Sequence, residues 1–402
     1  MAGPPRRSPL HAPPRIRGLE SGDGGTRHAT WLELFFDLVF VVAVAQLAFA
    51  LSHDLTLHGF LVFCGLFVPV WWAWVCFTVY ADRFDSDDVV HRIVMLCGMF
   101  AVGAMASAIP DAAVGDTAAF AITYAAIQLL VVALTVRVWL NIPEARPLMN
   151  VYLPAFTATA GLMLLSVAVP PPGRYWIWAL ALGVSVGVPL VVRGRVESAP
   201  VHASHLPERV GLFTIIVLGE TVVAVVIGTS TVEWSVASGL VAALGFVLAA
   251  GFWWIYFDYL DGEMLVGRGT RAGQAYFYSH LPLTAGIVAL GVGVEHAIEE
   301  TSGSELHDGT RWLLCGGLAL AFASLAAIHR IAADARRDVD VWLRLGVVGV
   351  ALAVALLGGG LGPTAAVAIL AAAVAACLAL ELALHERHTD DREAAVADAS
   401  VP

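Results

Sequence analysis

Lysine is absent from this sequence, and charged residues of either sign are scarce. All 22 basic residues are arginines, and charged residues make up only 14% of the 402 positions. Hydrophobic residues account for 59%, and the mean hydropathy is +0.79. A soluble chain of this length needs much more polar surface, so the composition excludes a soluble globular protein. We attribute the missing lysine to genome-level composition bias.

Motifs for covalent, metal or nucleotide chemistry are missing as well. The five cysteines lie within apolar runs and form no Cys-x-x-Cys pair, which argues against a disulfide framework and a zinc site. No Walker motif is present, so ATP drive within this chain is not expected. We therefore expect no cofactor, no metal and no nucleic acid, and we expect the lipid bilayer as the main partner.

Long apolar runs dominate what is present. Each run has about 20 residues and is long enough to cross a hydrocarbon core of roughly 30 Å. Breakers rich in proline, glycine and acidic residues separate the runs. The pattern predicts an all-α, polytopic transmembrane helix bundle of about twelve spans. The predicted spans are 31–52, 58–80, 88–109, 116–140, 147–169, 175–193, 207–229, 235–260, 272–296, 310–331, 341–359 and 363–384.

The distribution of arginine predicts how these spans are oriented. With the N-terminus placed in the cytoplasm, 20 of the 22 arginines fall in cytoplasmic segments, and only Arg174 and Arg311 fall outside. This is a strong positive-inside signal, so we expect an inner (plasma) membrane protein with both termini cytoplasmic. Tryptophans near the predicted span ends agree with interfacial anchoring. They are Trp31, Trp71, Trp72, Trp74, Trp176, Trp178, Trp234 and Trp312.

An internal repeat is indicated by features that recur six spans apart. The first and seventh spans open with Glu33 and Glu208, and Glu220 falls within one position of the place that Gln46 takes in the first span. Aromatic runs that end in acids recur in the second and eighth spans. Because six is even, the two halves point the same way and are related by a pseudo-twofold axis along the membrane normal.

Four segments follow from this organisation. Residues 1–30 are rich in Arg and Pro, lack the apolar core of a signal peptide, and are expected to be a disordered cytoplasmic arm. Residues 31–193 form the first six-helix half and residues 207–384 the second parallel half. Residues 385–402 are expected to be a disordered acidic cytoplasmic tail.

The first span carries two acids, Glu33 and Asp37, on one helix face. Counted from Trp31, they lie about 3 Å and about 9 Å inward. Glu33 suits a helix N-terminus, where the dipole favours anions. Asp37 lies past the first turn, and a charge at mid-helix costs about 2.5–3.5 kcal/mol on insertion scales. We therefore expect Asp37 to face other helices or water, in a structural or a functional role.

The seventh span carries the most deeply placed acid. Glu220 lies roughly 20 Å into this helix. It is either a protonated side chain that bonds across helices or a proton or cation site. At the start of the same span Arg209 follows Glu208, and Arg209 can pair with Glu33 or Asp37. Such a pair is either a static salt bridge or a gate that opens and closes.

Further polar residues lie around the second, third, eighth and ninth spans. Asp258 and His280 belong to the second half, and His280 is a candidate member of a proton relay. The segment after the second span reads either as a solvated turn or as a charge cluster at a cytoplasmic mouth. Its residues are Asp82, Arg83, Asp85, His91 and Arg92.

Three separated stretches resemble a known family. They are ELFFDLVFVVAVAQL in the first span, WWAWVCFTVYADRFDSDD after the second, and HLPERVGLFTIIVLGETV in the seventh. In this order they resemble the bacterial low temperature requirement A (LtrA) family over roughly residues 28–385. The resemblance implies a multi-span membrane protein named for a growth phenotype, and it implies no reaction.

The residues themselves favour a transporter or channel for a cation or small solute that uses intramembrane carboxylates. The predicted path residues are Glu33, Asp37, Gln46, Glu208, Arg209, Glu220, Asp258 and His280. The alternative is a membrane-embedded lipid or envelope-stress factor, enzyme or scaffold, that supports growth in the cold. Its candidate site is the charge cluster after the second span. An enzyme is the less favoured of these readings.

Overall fold

The computed structural model describes residues 12–16, 30–86, 88–192, 205–259, 269–332 and 339–399, and helices make up almost all of this part. Two short strands, β1 (Arg15–Ile16) and β2 (Phe84–Asp85), pair antiparallel. The helices are α1 (Trp31–Ser52), α2 (Leu57–Arg83), α3 (Val89–Ser107), α4 (Ile109–Ala113), α5 (Ala118–Asn141), α6 (Arg146–Val167), α7 (Gly173–Val191), α8 (His205–Thr231), α9 (Val236–Tyr259), α10 (Gly269–Glu299), α11 (Asp308–Ala332), α12 (Val339–Leu357) and α13 (Pro363–Ala399).

Twelve of the described helices are long and apolar enough to cross a membrane, and each overlaps one predicted span. The exception is α4, which has only five residues. The prediction of an all-α, polytopic fold with twelve spans is therefore confirmed for the described residues. That both termini are cytoplasmic stays a prediction.

Local sequence explains where several helices begin. Thr30 and Glu33 form a capping box at α1: the Thr30 hydroxyl accepts from the Glu33 amide, and the Glu33 carboxylate accepts from the Thr30 amide. The side chains of Thr56 and Asp88 cap α2 and α3 in the same position. Pro363 is the first residue of α13, where its missing N–H has no cost.

Two expectations about the ends of the chain differ from the structure of the described residues. The expected disordered arm contains an ordered piece, since residues 12–16 include β1, which pairs with β2. The expected disordered tail begins as helix, because α13 runs on to Ala399 through a stretch with many helix-forming residues. The rest of the arm and tail lies outside the described residues.

Half of the tryptophans expected near span ends are interior residues instead. The three tryptophans of α2 lie in the middle of this helix, 9 to 12 residues before its end at Arg83. Buried are Trp71, Trp72, Trp74 and, in α7, Trp178; exposed are Trp31, Trp176, Trp234 and Trp312. Only the exposed set fits interfacial anchoring.

The chain divides into two compact units. The first contains residues 1–216 and 265–274, and the second contains residues 217–264 and 275–402. The boundary between these compact units falls inside α8, whereas the predicted halves are divided at residues 193–207. The start of α8 belongs to the first unit because Phe213 packs on Trp74 of α2, with ring centroids 4.5 Å apart. Two parallel six-helix halves stay a prediction.

Each unit is held by its own helix contacts. In the first, α5 packs on α6 and α3, and α6 packs on α7. In the second, α11 packs on α12, and α9 packs on α13. Glycines bring α10 and α11 together, since a Cβ added at Gly293 would lie 2.5 Å from the Cα of Leu314. Small residues at such crossings let helix backbones approach closely in membranes.

Candidate functional site

A buried ion pair joins α1 and α8 within the first unit. The Nη2 of Arg209 donates to Oδ1 of Asp37 over 2.7 Å. Asp37 is 1% exposed and Arg209 is 2% exposed. The sequence predicted that Arg209 can pair with Glu33 or Asp37. In the structure its partner is Asp37, in the second turn of α1.

Aromatic side chains surround this pair. The indole Nε1 of Trp74, on α2, donates to the same Oδ1 of Asp37 over 2.8 Å. Phe213 lies against Trp74, and Phe36 packs against Phe77 with ring centroids 5.1 Å apart. The surroundings have few polar groups, so the attraction between the two charges is weakly screened.

The hydrogen-bonding capacity of this ion pair is only partly used. Oδ2 of Asp37 and Nη1 of Arg209 are buried and have no hydrogen-bond partner among the described residues. A buried polar atom without a partner costs about 1–3 kcal/mol, and more when it carries charge. The pair therefore holds one unused acceptor and one unused donor in an apolar setting, which is the mark of a high-energy polar site.

The other predicted path residues of the first unit have separate roles or positions. Glu33 is buried and belongs to the capping box of α1, so a structural explanation accounts for its presence at this helix start. Glu208 is half-buried in the first turn of α8, and Gln46 is half-buried in α1. Within this unit the structure brings Asp37 and Arg209 together.

The remaining predicted path residues belong to the second unit. Glu220 is buried on α8, about 22 Å from the start of the helix. It has no hydrogen bond or ion pair with another described residue of this unit. Asp258, near the end of α9, is exposed and accepts from the indole of Trp254.

His280 is a buried member of an aromatic cluster in the second unit. Its Nδ1 lies 2.8 Å from the carbonyl of Tyr276, and its Nε2 lies 2.9 Å from the hydroxyl of Tyr256. A carbonyl only accepts, so Nδ1 carries the proton, and Nε2 accepts from Tyr256. Both ring nitrogens are satisfied in the neutral form, which matches a buried structural histidine.

The charge cluster after the second span is mostly buried, so the solvated-turn interpretation is wrong for three of its members. Asp82 and Arg83 form the last turn of α2, and His91 on α3 stacks on Tyr80, with ring centroids 5.8 Å apart. Asp85 lies opposite Arg15 in the backbone pairing of β2 with β1. Arg92 is exposed on α3.

The centre of this region is Asp88, which the sequence analysis missed. Its carboxylate accepts from the amides of Ala12 and His91, each over 3.0 Å, and from Nη2 of Arg137 over 2.7 Å. Arg137 also donates to the carbonyl of Ala12. The recognisable signal was an acidic residue directly before an apolar run, which is typical of a helix N-cap. Its distant partners, Ala12 and Arg137, could not be predicted from the sequence.

Asp88 ties residues 12–16 to the helices, and we expect Asp88→Asn to release them. A hydrogen bond to a charged group contributes about 1.5–3 kcal/mol, so trypsin should cleave after Arg15 at least about tenfold faster in the variant. Asp111→Asn, which changes an exposed acid of α4, is the matched control and should leave the rate unchanged. Equal cleavage of the Asp88 variant and the native chain would contradict the tether.

The same contacts predict a pH dependence. Burial on its own raises the pKa of Asp88, but the hydrogen bonds from Ala12, His91 and Arg137 outweigh it, so the pKa lies below the ordinary 3.8. Above pH 3.8 the tether is fully present, and it is lost as pH falls through the lowered pKa. Amide exchange at Ala12 should therefore lose its protection only below pH 3.8.

A cavity of about 60 Å³ lies beside this region, between α2, α5 and α6. Its wall includes Trp72, Tyr80, Tyr152 and Phe156, with Arg83 at one side. The space is large enough for a few water-sized groups. This cavity could not be predicted from the sequence, because it depends on how three helices are spaced.

The second unit holds another buried ion pair that sequence reasoning missed. Nε and Nη2 of Arg344 on α12 donate to Oε1 and Oε2 of Glu381 on α13, over 2.9 and 3.3 Å. Both residues are 0% exposed. Glu381 uses both of its oxygens, unlike Asp37. Its signal was an acid in an otherwise apolar span, the same signal that identified Glu220.

The twelve apolar helices and the buried acid–base pairs define a polytopic α-helical membrane protein. The model of the bacterial low temperature requirement A protein (LtrA) matches residues 28–383. The chain belongs to this family, which confirms the resemblance. It is 29% identical over 303 residues to an uncharacterized protein of Rhizobium meliloti (strain 1021), covering 67% of this chain and 69% of that protein. No solved structure matches.

Proposed function

We propose that this protein is a transporter or channel that moves a small cation or solute across the membrane, with Asp37 and Arg209 as its gate. The observation that carries the proposal is the partly satisfied buried pair. A buried pair kept for stability alone needs its remaining lone pairs and protons satisfied. Asp37 leaves Oδ2 unused, so this oxygen can accept a cation or a proton while Oδ1 still holds Arg209.

The competition between an arriving cation and Arg209 gives the pair its gating role. A cation on Oδ2 weakens the attraction of Asp37 for Arg209, because the carboxylate charge is then shared. Arg209 is free to leave, and the start of α8 can move away from α1. Glu220, on the same helix but in the second unit, stays a predicted carboxylate of the path.

The proposed orientation places the gate at the cytoplasmic side of the inner membrane. Twenty of the 22 arginines lie in the segments assigned to the cytoplasm, which supports cytoplasmic termini. Asp37 lies about 9 Å inward from Trp31 at the start of α1, and Trp31 is exposed as an interfacial anchor would be. A cation entering from the cytoplasm would thus meet Asp37 early in its path.

Flux measurements on purified full-length protein in liposomes test the proposal. Liposomes loaded with a pH-sensitive dye receive a proton gradient and then Na⁺, K⁺ or ammonium outside. We expect one of these cations to drive flux, and we expect Asp37→Asn to reduce it at least tenfold. Glu381→Gln, which neutralises a buried acid of the second unit, is the matched control and should keep the flux. No flux with any cation, or native flux in the Asp37 variant, would contradict the proposal.

A second function has its own supporting observation. The family is described by a low temperature requirement, and the Arg83 cavity has the aromatic wall and basic end that a lipid or envelope factor needs. On this reading a deletion strain grown in the cold should show an altered lipid class. An unaltered lipid profile would count against it and leave the transporter.

A further inference from the structure

Arg83 places a positive charge beside the apolar cavity. The residue is 7% exposed, and its Nε has no hydrogen-bond partner among the described residues. The guanidinium lies over the ring of Tyr152, 5.7 Å from the centroid. A cation–π contact of this kind does not neutralise the charge, and a buried charge is stable only with a counter-charge or a full set of hydrogen bonds.

Most of the rest of the cavity wall is apolar, with hydroxyl groups on Tyr80, Thr135 and Tyr152. Trp72 and Val75 come from α2, Val131 from α5 and Phe156 from α6. The indole of Trp72 donates outward to the hydroxyl of Ser185, over 2.7 Å, so it presents its ring and no free donor to the space. A ligand that fits this wall must therefore carry hydrocarbon or aromatic carbon next to its charged group.

The size of the cavity sets a second limit. A volume of about 60 Å³ holds a head group with a few carbons and cannot enclose a whole lipid. The remainder of a longer ligand has to leave the cavity along the helices. The planar guanidinium favours carboxylate or phosphate oxygens, which it binds through two parallel hydrogen bonds.

We propose that the cavity between α2, α5 and α6 binds the anionic head of an amphiphile, a carboxylate or phosphate on an apolar chain, through Arg83. The head lies against the guanidinium, and the first carbons lie on Trp72 and Phe156. The inference does not rest on the proposed transport function, since neither Asp37 nor Arg209 contributes to the wall.

The first test compares matched ten-carbon probes on the purified full chain in detergent micelles. Equilibrium dialysis measures decanoate, decyl phosphate, decanol and decyltrimethylammonium. We expect both anions to bind at least tenfold more tightly than the alcohol and the cation. Arg83→Gln should remove this preference, and Arg83→Lys should keep part of it. Arg271→Gln removes an exposed arginine of α10 and should change nothing.

A second variant, which keeps Arg83, distinguishes loss of the binding site from misfolding of the protein. Thr135 lines the cavity and bonds its hydroxyl to its own helix, at the carbonyl of Val131. Thr135→Leu fills space without touching the charge, so it should weaken binding of both anions at least tenfold. Equal binding of decanol and decanoate, or unchanged anion binding in both the Arg83→Gln and Thr135→Leu variants, would overturn the proposal.

Native mass spectrometry from bilayer nanodiscs distinguishes the two sources of such a ligand. If the source is the membrane, the native chain retains phosphatidylglycerol, decyl phosphate displaces it, and Arg83→Gln does not retain it. If the source is a free amphiphile, no lipid is retained and added decanoate binds. A chain that retains phosphatidylglycerol equally with and without Arg83 would contradict the assignment.

Discussion

Asp37→Leu is expected to destabilise the protein by about 3–5 kcal/mol, because it leaves the Arg209 guanidinium buried without its counter-charge. The partner is only 2% exposed. The indole of Trp74 also loses its acceptor. Denaturant-induced unfolding of the purified protein in micelles measures the change.

The double variant Asp37→Leu with Arg209→Met is the decisive comparison for this first prediction. Replacing a buried ion pair by apolar residues of similar volume is often neutral or stabilising. We therefore expect the second substitution to restore most of the lost stability. If Asp37→Leu alone costs less than about 1 kcal/mol, the size of an exposed salt bridge, the pair is not buried as described.

Glu381→Leu is expected to cost a similar amount, about 3–5 kcal/mol, since Arg344 then remains charged and fully buried. This pair is geometrically stronger, because both oxygens of Glu381 accept from one guanidinium. The same unfolding measurement applies. Here too the apolar double variant, Glu381→Leu with Arg344→Met, should recover most of the stability.

The two pairs are expected to differ in function and not in stability. Glu381 has no unused oxygen, so its pair can be explained as a static link between α12 and α13. Glu386, an exposed acid further along α13, gives the control for removing an acid from this helix, and Glu386→Leu should leave unfolding unchanged. A large loss of stability from Glu386→Leu would show that unfolding reports something other than the buried pair.

The sequence predicted the twelve helices well because bilayer thickness dictates the length of an apolar run. It predicted their ends less well, since these depend on caps and on neighbouring segments. The tryptophans of α2 illustrate a second limit: Trp71, Trp72 and Trp74 lie in the middle of the helix and are buried, because a tryptophan can serve the core as well as the interface. Strand β1 could not be predicted, because a two-residue pairing leaves no periodic pattern.

The candidate site could be predicted only in part from the sequence, for a comparable reason. An acid in the second turn of an apolar helix signals a partner, and Arg209 was predicted as one candidate for it. The choice of Asp37 over Glu33, the indole of Trp74 and the unused atoms depend on side-chain geometry that spacing does not fix. Arg344 was missed because it was counted only as an arginine of a cytoplasmic segment, and Glu381 was not singled out.

We propose that the Asp37–Arg209 pair is kept for function rather than for stability. The most direct measurement is cation flux in liposomes containing the double variant Asp37→Leu with Arg209→Met, matched to the native chain in folded amount. The account predicts a stable protein whose flux is at least tenfold lower, while the double variant at Arg344 and Glu381 transports normally. Native flux in the double variant Asp37→Leu with Arg209→Met would contradict the gating role of this pair.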